Sequence, residues 1–236
     1  MASLFPLPPA NAEVPYGGGY HALNFTENGF NQWPMLVRIV TLGDGSCLLH
    51  AIVNGYYLPY RTSTDKQQVL QSLISTLRKE MSQKLSAIDP CDDEGKFTYY
   101  QTINNGYLPQ GSKEIPEFTL DNMVRCLDSH QTLGTGYLDL ISRLLNRDLY
   151  IISERTQDLY VTDELPYIIT GKRSAVIVYW DGFNHYELVA LKNSQGTFDT
   201  HFKASNPLIE FLYSRYLNIT ARSSSAIPVA SVVNKT

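Results

Sequence analysis

Cysteine is scarce in this chain, with three residues in 236, at positions 47, 91 and 126. They make no CxxC pair and no zinc spacing, so neither a disulfide framework nor a metal site is expected. The setting that such thiols suit is a reducing compartment, the cytosol or nucleus, and host cytosol if the chain is a viral or bacterial effector. Charge is sparse too, at 18% of residues with a formal net charge of −4. A nucleic-acid binder normally shows a basic stripe, and none is present, so no nucleic-acid partner is expected. No run approaches the roughly 18 apolar residues of a membrane span. The stretch from Met1 to Ala12 carries prolines and no positive charge, so neither a signal peptide nor a membrane partner is expected.

What is present is an ordinary globular composition, 43% apolar, in a length that suits one sizeable domain. Residues 1–33 are rich in Pro, Gly and Asn and read as an arm, tied down near Phe30 and Trp33. Residues 34–218 read as the domain, and 219–236 as a frayed tail. Met35 to Val40 is a β-branched run that predicts a strand. The spacing of Leu48, Leu49, Ile52, Val53 and Tyr56 predicts a buried helix. A longer helix is predicted over Thr64 to Leu85, with Arg78, Lys79 and Lys84 mostly off its apolar face. Further helices are predicted at Tyr99 to Asn104, Leu120 to Leu127, Tyr137 to Leu145 and Leu208 to Leu217. Leu149 to Ser153 and Ala175 to Trp180 are nearly continuous apolar runs, the pattern of strands buried on both faces. Tyr186 to Leu191 follows a turn and predicts a hairpin. Helices first and strands later make an α/β (α+β) domain.

The densest chemistry lies at Asp44-Gly45-Ser46-Cys47, directly before the first helix. A thiol at a helix N-terminus sits among unpaired N–H groups at the positive end of the dipole, which favours the reactive thiolate. The same N–H groups suit the oxyanion of a tetrahedral intermediate. A tight turn followed by a core cysteine fits these residues equally well. Far downstream, His185 stands where a turn enters a strand, and a base for a thiol can come from any distance in sequence. His50, three residues after Cys47, is expected only to pack on its own helix.

Together these segments resemble the ovarian-tumour (OTU) family of cysteine deubiquitinases. The family's nucleophile block, Asp-Gly-x-Cys-Leu-Phe-x-Ala-Ile, is matched by Asp44, Gly45, Cys47, Leu48, Ala51 and Ile52, with Leu49 for the usual Phe. A glycine, amphipathic helix and buried strand resemble GTGYLDLISRLLNRDLYIIS, and the histidine block resembles VIVYWDGFNHYELV. The three lie in the family's order across residues 35–192. The resemblance implies a papain-like fold, a central β-sheet packed between helices, and thiol hydrolysis after the C-terminal glycine of ubiquitin without a cofactor. Cys47 would be the nucleophile, His185 its base, and Asp44 the residue that shapes the nucleophile turn. Gly45, Trp180 and Asn184 would flank the groove for the substrate tail, with Phe183 as a further wall. The acidic stretch Asp92 to Glu94 would face ubiquitin's basic tail or be a solvated loop.

A second position, besides Leu49, departs from the family. Asn or Asp usually stands two residues after the histidine, and here Glu187 does. Period-2 geometry puts residues 185 and 187 on one side of a strand, so a Glu carboxylate could still orient the imidazole. Asp44 is the alternative orienter, and the absence of any effective third group is the remaining alternative. Ubiquitin or polyubiquitin is the expected partner. Two rivals stay open: a papain-like hydrolase acting on a ubiquitin-like modifier, and a non-catalytic ubiquitin-binding module.

Overall fold

The computed structural model describes residues 19–25, 28–63, 66–89, 95–106, 118–157, 159–162 and 173–225. Strand β5 (Ser174–Trp180) shows how its sheet is buried: Val176 and Val178 enter one core, while Ala175, Ile177 and Tyr179 enter the other. Alternate side chains leave opposite faces of a strand, so a continuous apolar run needs cover on both sides. Its neighbours β3 (Arg147–Ser153) and β6 (Tyr186–Lys192) are buried the same way along most of their length.

The sheet runs β1-β2-β6-β5-β3-β4, with β1 (Tyr20–Ala22), β2 (Leu36–Ile39) and β4 (Leu159–Val161) completing that order. β3 and β5 are parallel, and the other pairings along this path are antiparallel. Two short strands, β7 (Phe198–Asp199) and β8 (Phe202–Lys203), add to β6 and β5. One face is covered by α1 (Cys47–Tyr56), α2 (Leu58–Thr62), α3 (Lys66–Leu85), α4 (Tyr99–Gly106), α5 (Leu120–Asp128) and α6 (Leu138–Leu145). The other is covered by α7 (Pro207–Ser225) and by the turn that carries Phe30. The chain is thus a mixed α/β fold with its central sheet between helices, as the sequence leads one to expect.

Local chemistry explains several boundaries. Asn146 ends α6 in the left-handed region (φ 52°), its N–H returning to the carbonyls of Arg143 and Ser142. β5 and β6 form the expected hairpin, closed by the Asp181 N–H to the His185 carbonyl at 3.1 Å. The two edges of the domain are tied down further than residues 34–218, on the N-terminal side at Phe30 as the sequence leads one to expect. Part of the expected arm is edge strand β1, and Phe30 is 1% exposed in the α7-side core, in edge-to-face contact with Phe25 and Phe211. The last helix continues to Ser225, past the expected domain edge at 218, and Ile219 still packs on that core. Among the described residues no helix is long and apolar enough to cross a membrane.

Candidate active site

Cys47 opens α1 and is 3% exposed. The turn before it is held from two directions. Asp44 accepts the Ser46 N–H on Oδ1 at 3.0 Å and faces Nε2 of His50 with Oδ2 at 3.1 Å. His50 in turn places Nδ1 2.6 Å from the Tyr60 hydroxyl, at the base of α2. A carboxylate only accepts, so Nε2 carries the proton and Nδ1 accepts from Tyr60. Burial lowers the His50 pKa, against the hydrogen bond and charge of Asp44, which raise it. Burial alone would raise Asp44, but the His50 hydrogen bond and charge and the Ser46 N–H hold it below the usual carboxylate value. His50 is therefore more than the packing residue the sequence suggests. It is fully buried because it has a partner on each ring nitrogen.

The second support is Arg78 of α3, expected off the apolar face and in fact 1% exposed. Its Nε donates to the Leu127 carbonyl (2.8 Å), and Nη2 donates to the carbonyls of Cys126 (2.6 Å) and Gln131 (2.8 Å). Nη1 reaches Ser46 Oγ (3.1 Å) and the Gly45 carbonyl (3.5 Å). One guanidinium thus joins the end of α5, the segment after it and the nucleophile turn. That segment presses on Gly45, whose φ is +82°, and a Cβ there would lie 2.3 Å from the His130 carbonyl oxygen. Only glycine fits the position.

The histidine turn is built differently. Oδ1 of Asp181 accepts the N–H groups of Phe183 (2.8 Å), Asn184 (3.1 Å) and His185 (3.1 Å). Gly182 (φ +86°) lets the turn close under Arg155, whose guanidinium lies 5.2 Å from the Phe183 ring centre. The turn brings the Asn184 carbonyl to 3.5 Å from Cys47 Sγ, which donates to it. His185 keeps its side chain 30% exposed and places Nε2 3.6 Å from Oε1 of Glu187. With Nε2 turned to Glu187, Nδ1 is the nitrogen available to a thiol. Among the described residues no hydrogen bond joins the Cys47 thiol to the His185 ring, and none joins Asp44 to it. Asp44 is occupied within its own turn. Glu187 accepts from Arg38 Nη1 on its other oxygen, at 3.0 Å.

Burial pushes the Cys47 thiol pKa up, the Asp44 charge adds to this, and the N–H groups of Tyr186, Leu48 and Cys47 itself act against it. The sequence leads one to expect a thiolate at the helix start. Desolvation wins instead, so the resting group is a thiol that donates to Asn184. Such a thiol needs a base when it reacts, and the imidazole of His185, next in the chain to the Asn184 it rests on, can supply one.

Of the expected groove residues, Gly45 and Asn184 flank Cys47, whereas Trp180 stacks on Tyr186 (6.4 Å between ring centres) and is half-buried against the helix-rich core. Trp180 also walls a cavity of about 570 Å³ with Ile151, Leu159, Tyr160 and Gly182. Phe183 is 74% exposed. The stretch Asp92 to Glu94 lies outside the described residues. Among the described residues no three His, Cys, Asp or Glu side chains are grouped as a metal ion would require. The sequence reading missed Arg78, Arg38 and Asp181. Only Asp181, in an Asp-Gly turn before the histidine, left a local signal.

Comparison with solved structures returns OTU domains. An ovarian-tumour (OTU) domain solved in complex with ubiquitin is 16% identical, over 80% of this chain and 87% of that one, with a TM-score of 0.46. The OTU domain of OTUD1 is 14% identical, over 65% of this chain and 85% of that one, with a TM-score of 0.38. No family model and no curated protein matches the sequence.

Proposed function

We propose that the chain is a cysteine-dependent deubiquitinase that hydrolyses the bond after the C-terminal glycine of ubiquitin. The observation that carries this reading is the seating of the Cys47 thiol on the Asn184 carbonyl, beside a half-open His185 whose Nε2 faces Glu187. In the reaction, Nδ1 of His185 takes the thiol proton as sulfur bonds to the carbonyl carbon. The oxyanion is held by N–H groups at the start of α1. Collapse breaks the C–N bond, and the imidazolium returns its proton to the departing amine. Water, deprotonated by His185, then releases the acyl group from the thioester and regenerates the thiol. Work in a reducing compartment, cytosol or nucleus, goes with this chemistry, and Cys47 and Cys126 are free thiols.

The test is a ubiquitin derivative with an electrophile in place of its C-terminal carboxylate. Covalent capture by the wild type is expected, with none by Cys47→Ala and a loss of at least about 100-fold in rate for His185→Ala. Binding without capture would replace the enzyme with a ubiquitin-binding module. Capture only by a ubiquitin-like modifier would change the substrate.

A further inference from the structure

We propose that Arg38 is a positioning residue for His185 that acts through Glu187, holding one carboxylate oxygen so that the other stays aimed at Nε2. The inference rests on the reading of Cys47 and His185 as a catalytic pair. Arg38 lies on β2, opposite Val189 of β6, one diagonal step from Glu187. Its Nη1 bonds Oε2 at 3.0 Å, while Oε1 stands 3.6 Å from the imidazole. Its guanidinium also covers the Tyr179 ring at 5.1 Å, and Tyr179 is the cross-strand partner of Glu187 on β5. Arg38 is therefore fixed on two sides while Glu187 is 6% exposed along its side chain.

Both features follow from having glutamate at this place. A glutamate has one more rotatable bond than an aspartate, so aiming it costs more side-chain entropy. A second anchor removes that freedom. A buried carboxylate also needs a partner charge, and an unshared one would capture the imidazole as a standing imidazolium. Arg38 shares the charge of that carboxylate on the oxygen turned away from the imidazole. The charged or titratable groups on the elements packed against the pair include Tyr179, bonded to Glu154, on β5, Tyr186 at the start of β6, Asp181 in the histidine turn and Cys47 on α1.

The measurement is the His185 imidazole titration by NMR, which needs no substrate, alongside kcat and KM on a ubiquitin C-terminal fluorogenic amide. In Arg38→Met the His185 pKa is expected to rise by about half a unit as the carboxylate loses its offsetting charge. The same substitution in a Glu187→Gln background should move it by less than half as much. For Arg38→Met, kcat is expected to fall about 5- to 10-fold with KM within about twofold. Arg38→Lys, which keeps one donor on the carboxylate, should recover most of both. An unchanged or lowered His185 pKa in Arg38→Met, or an equal shift in both backgrounds, would overturn the proposal. If the wild type does not turn over the amide, the deubiquitinase reading fails, while the titration still decides the coupling.

Discussion

The nucleophile turn takes its shape from buried polar groups in three helices, whereas the histidine turn takes its shape from one half-exposed aspartate five residues long in reach. Asp44, His50, Tyr60 and Arg78 together fix residues 44–47, and His50 and Arg78 are at most 1% exposed. On the other side Asp181 alone accepts three consecutive N–H groups, Phe183 stands in solvent, and His185 only faces Glu187 at 3.6 Å, while Arg38 holds that carboxylate. The contrast suggests a division of labour. The thiol side is part of the core and shares its stability, while the base side can move without unfolding anything. A resting thiol bonded to the Asn184 carbonyl instead of to the imidazole fits that arrangement, because the acceptor it rests on belongs to the looser turn.

The largest effect should come from breaking the rigid side. Arg78→Met deletes every donor to the carbonyls of Cys126, Leu127 and Gln131 and to the Ser46 hydroxyl that this side chain supplies. Leaving several buried acceptors without partners costs about 3–5 kcal/mol. Denaturant unfolding should show that loss, and thiol reactivity of Cys47 should fall with it. A variant that keeps wild-type stability would mean that the segment around residue 131 is held by something else.

Asp181→Ala should have a smaller effect on stability and a disproportionate one on catalysis. Three N–H groups lose their acceptor, but water can replace it at a half-exposed turn, so the expected cost is about 1 kcal/mol. In a chain of this size that lowers the melting midpoint by about 2–4 °C. Turnover should nevertheless drop about 10-fold, because the turn carries both His185 and the Asn184 carbonyl. If activity fell only as far as stability does, the two turns would not differ in the way argued above.

The legibility of the two turns from sequence follows the same division. Cys47, Gly45 and Asp44 announce themselves because a turn-then-helix pattern is local, and so do the buried strands around it, whose runs are continuous. Arg78 does not, since its ring of acceptors comes from the turn at 45–46, the end of α5 and Gln131 after it, brought together only by packing. Arg38 and Glu187 meet across strands β2 and β6, which are far apart in sequence, so no spacing rule could pair them. β1, β7 and β8 are two or three residues long, too short for any alternation to show. The thiolate expectation failed for a related reason: the helix start is visible in sequence, but the depth of burial that outweighs it is not.

The subtlest difference between the turns lies in their response to acid. His50 has a pKa lowered by burial from the ordinary 6.5, in spite of Asp44. The unfolded chain therefore takes up a proton at a higher pH than the folded one. Stability from this group is fully present above about pH 6.5 and is lost as pH falls from there through the folded value. Asp44, held below its ordinary 3.8, acts with the same sign but in a lower window. His201 is also lowered, by burial first and then by the charges of Arg61 and Arg147, so it adds to the slope in the His50 window. Stability measured from pH 7.5 to 5 should therefore decline, and His50→Gln, which keeps a donor for Asp44, should decline less steeply. The residual slope in that variant belongs to His201. An unchanged slope would show that the His50 ring stays unprotonated without cost, and that the nucleophile turn owes its rigidity to Arg78 alone. A shallower slope would make the buried relay the acid-labile part of an otherwise rigid turn, since protonating His50 turns its Nδ1 from acceptor to donor and forces the Tyr60 hydroxyl to reverse.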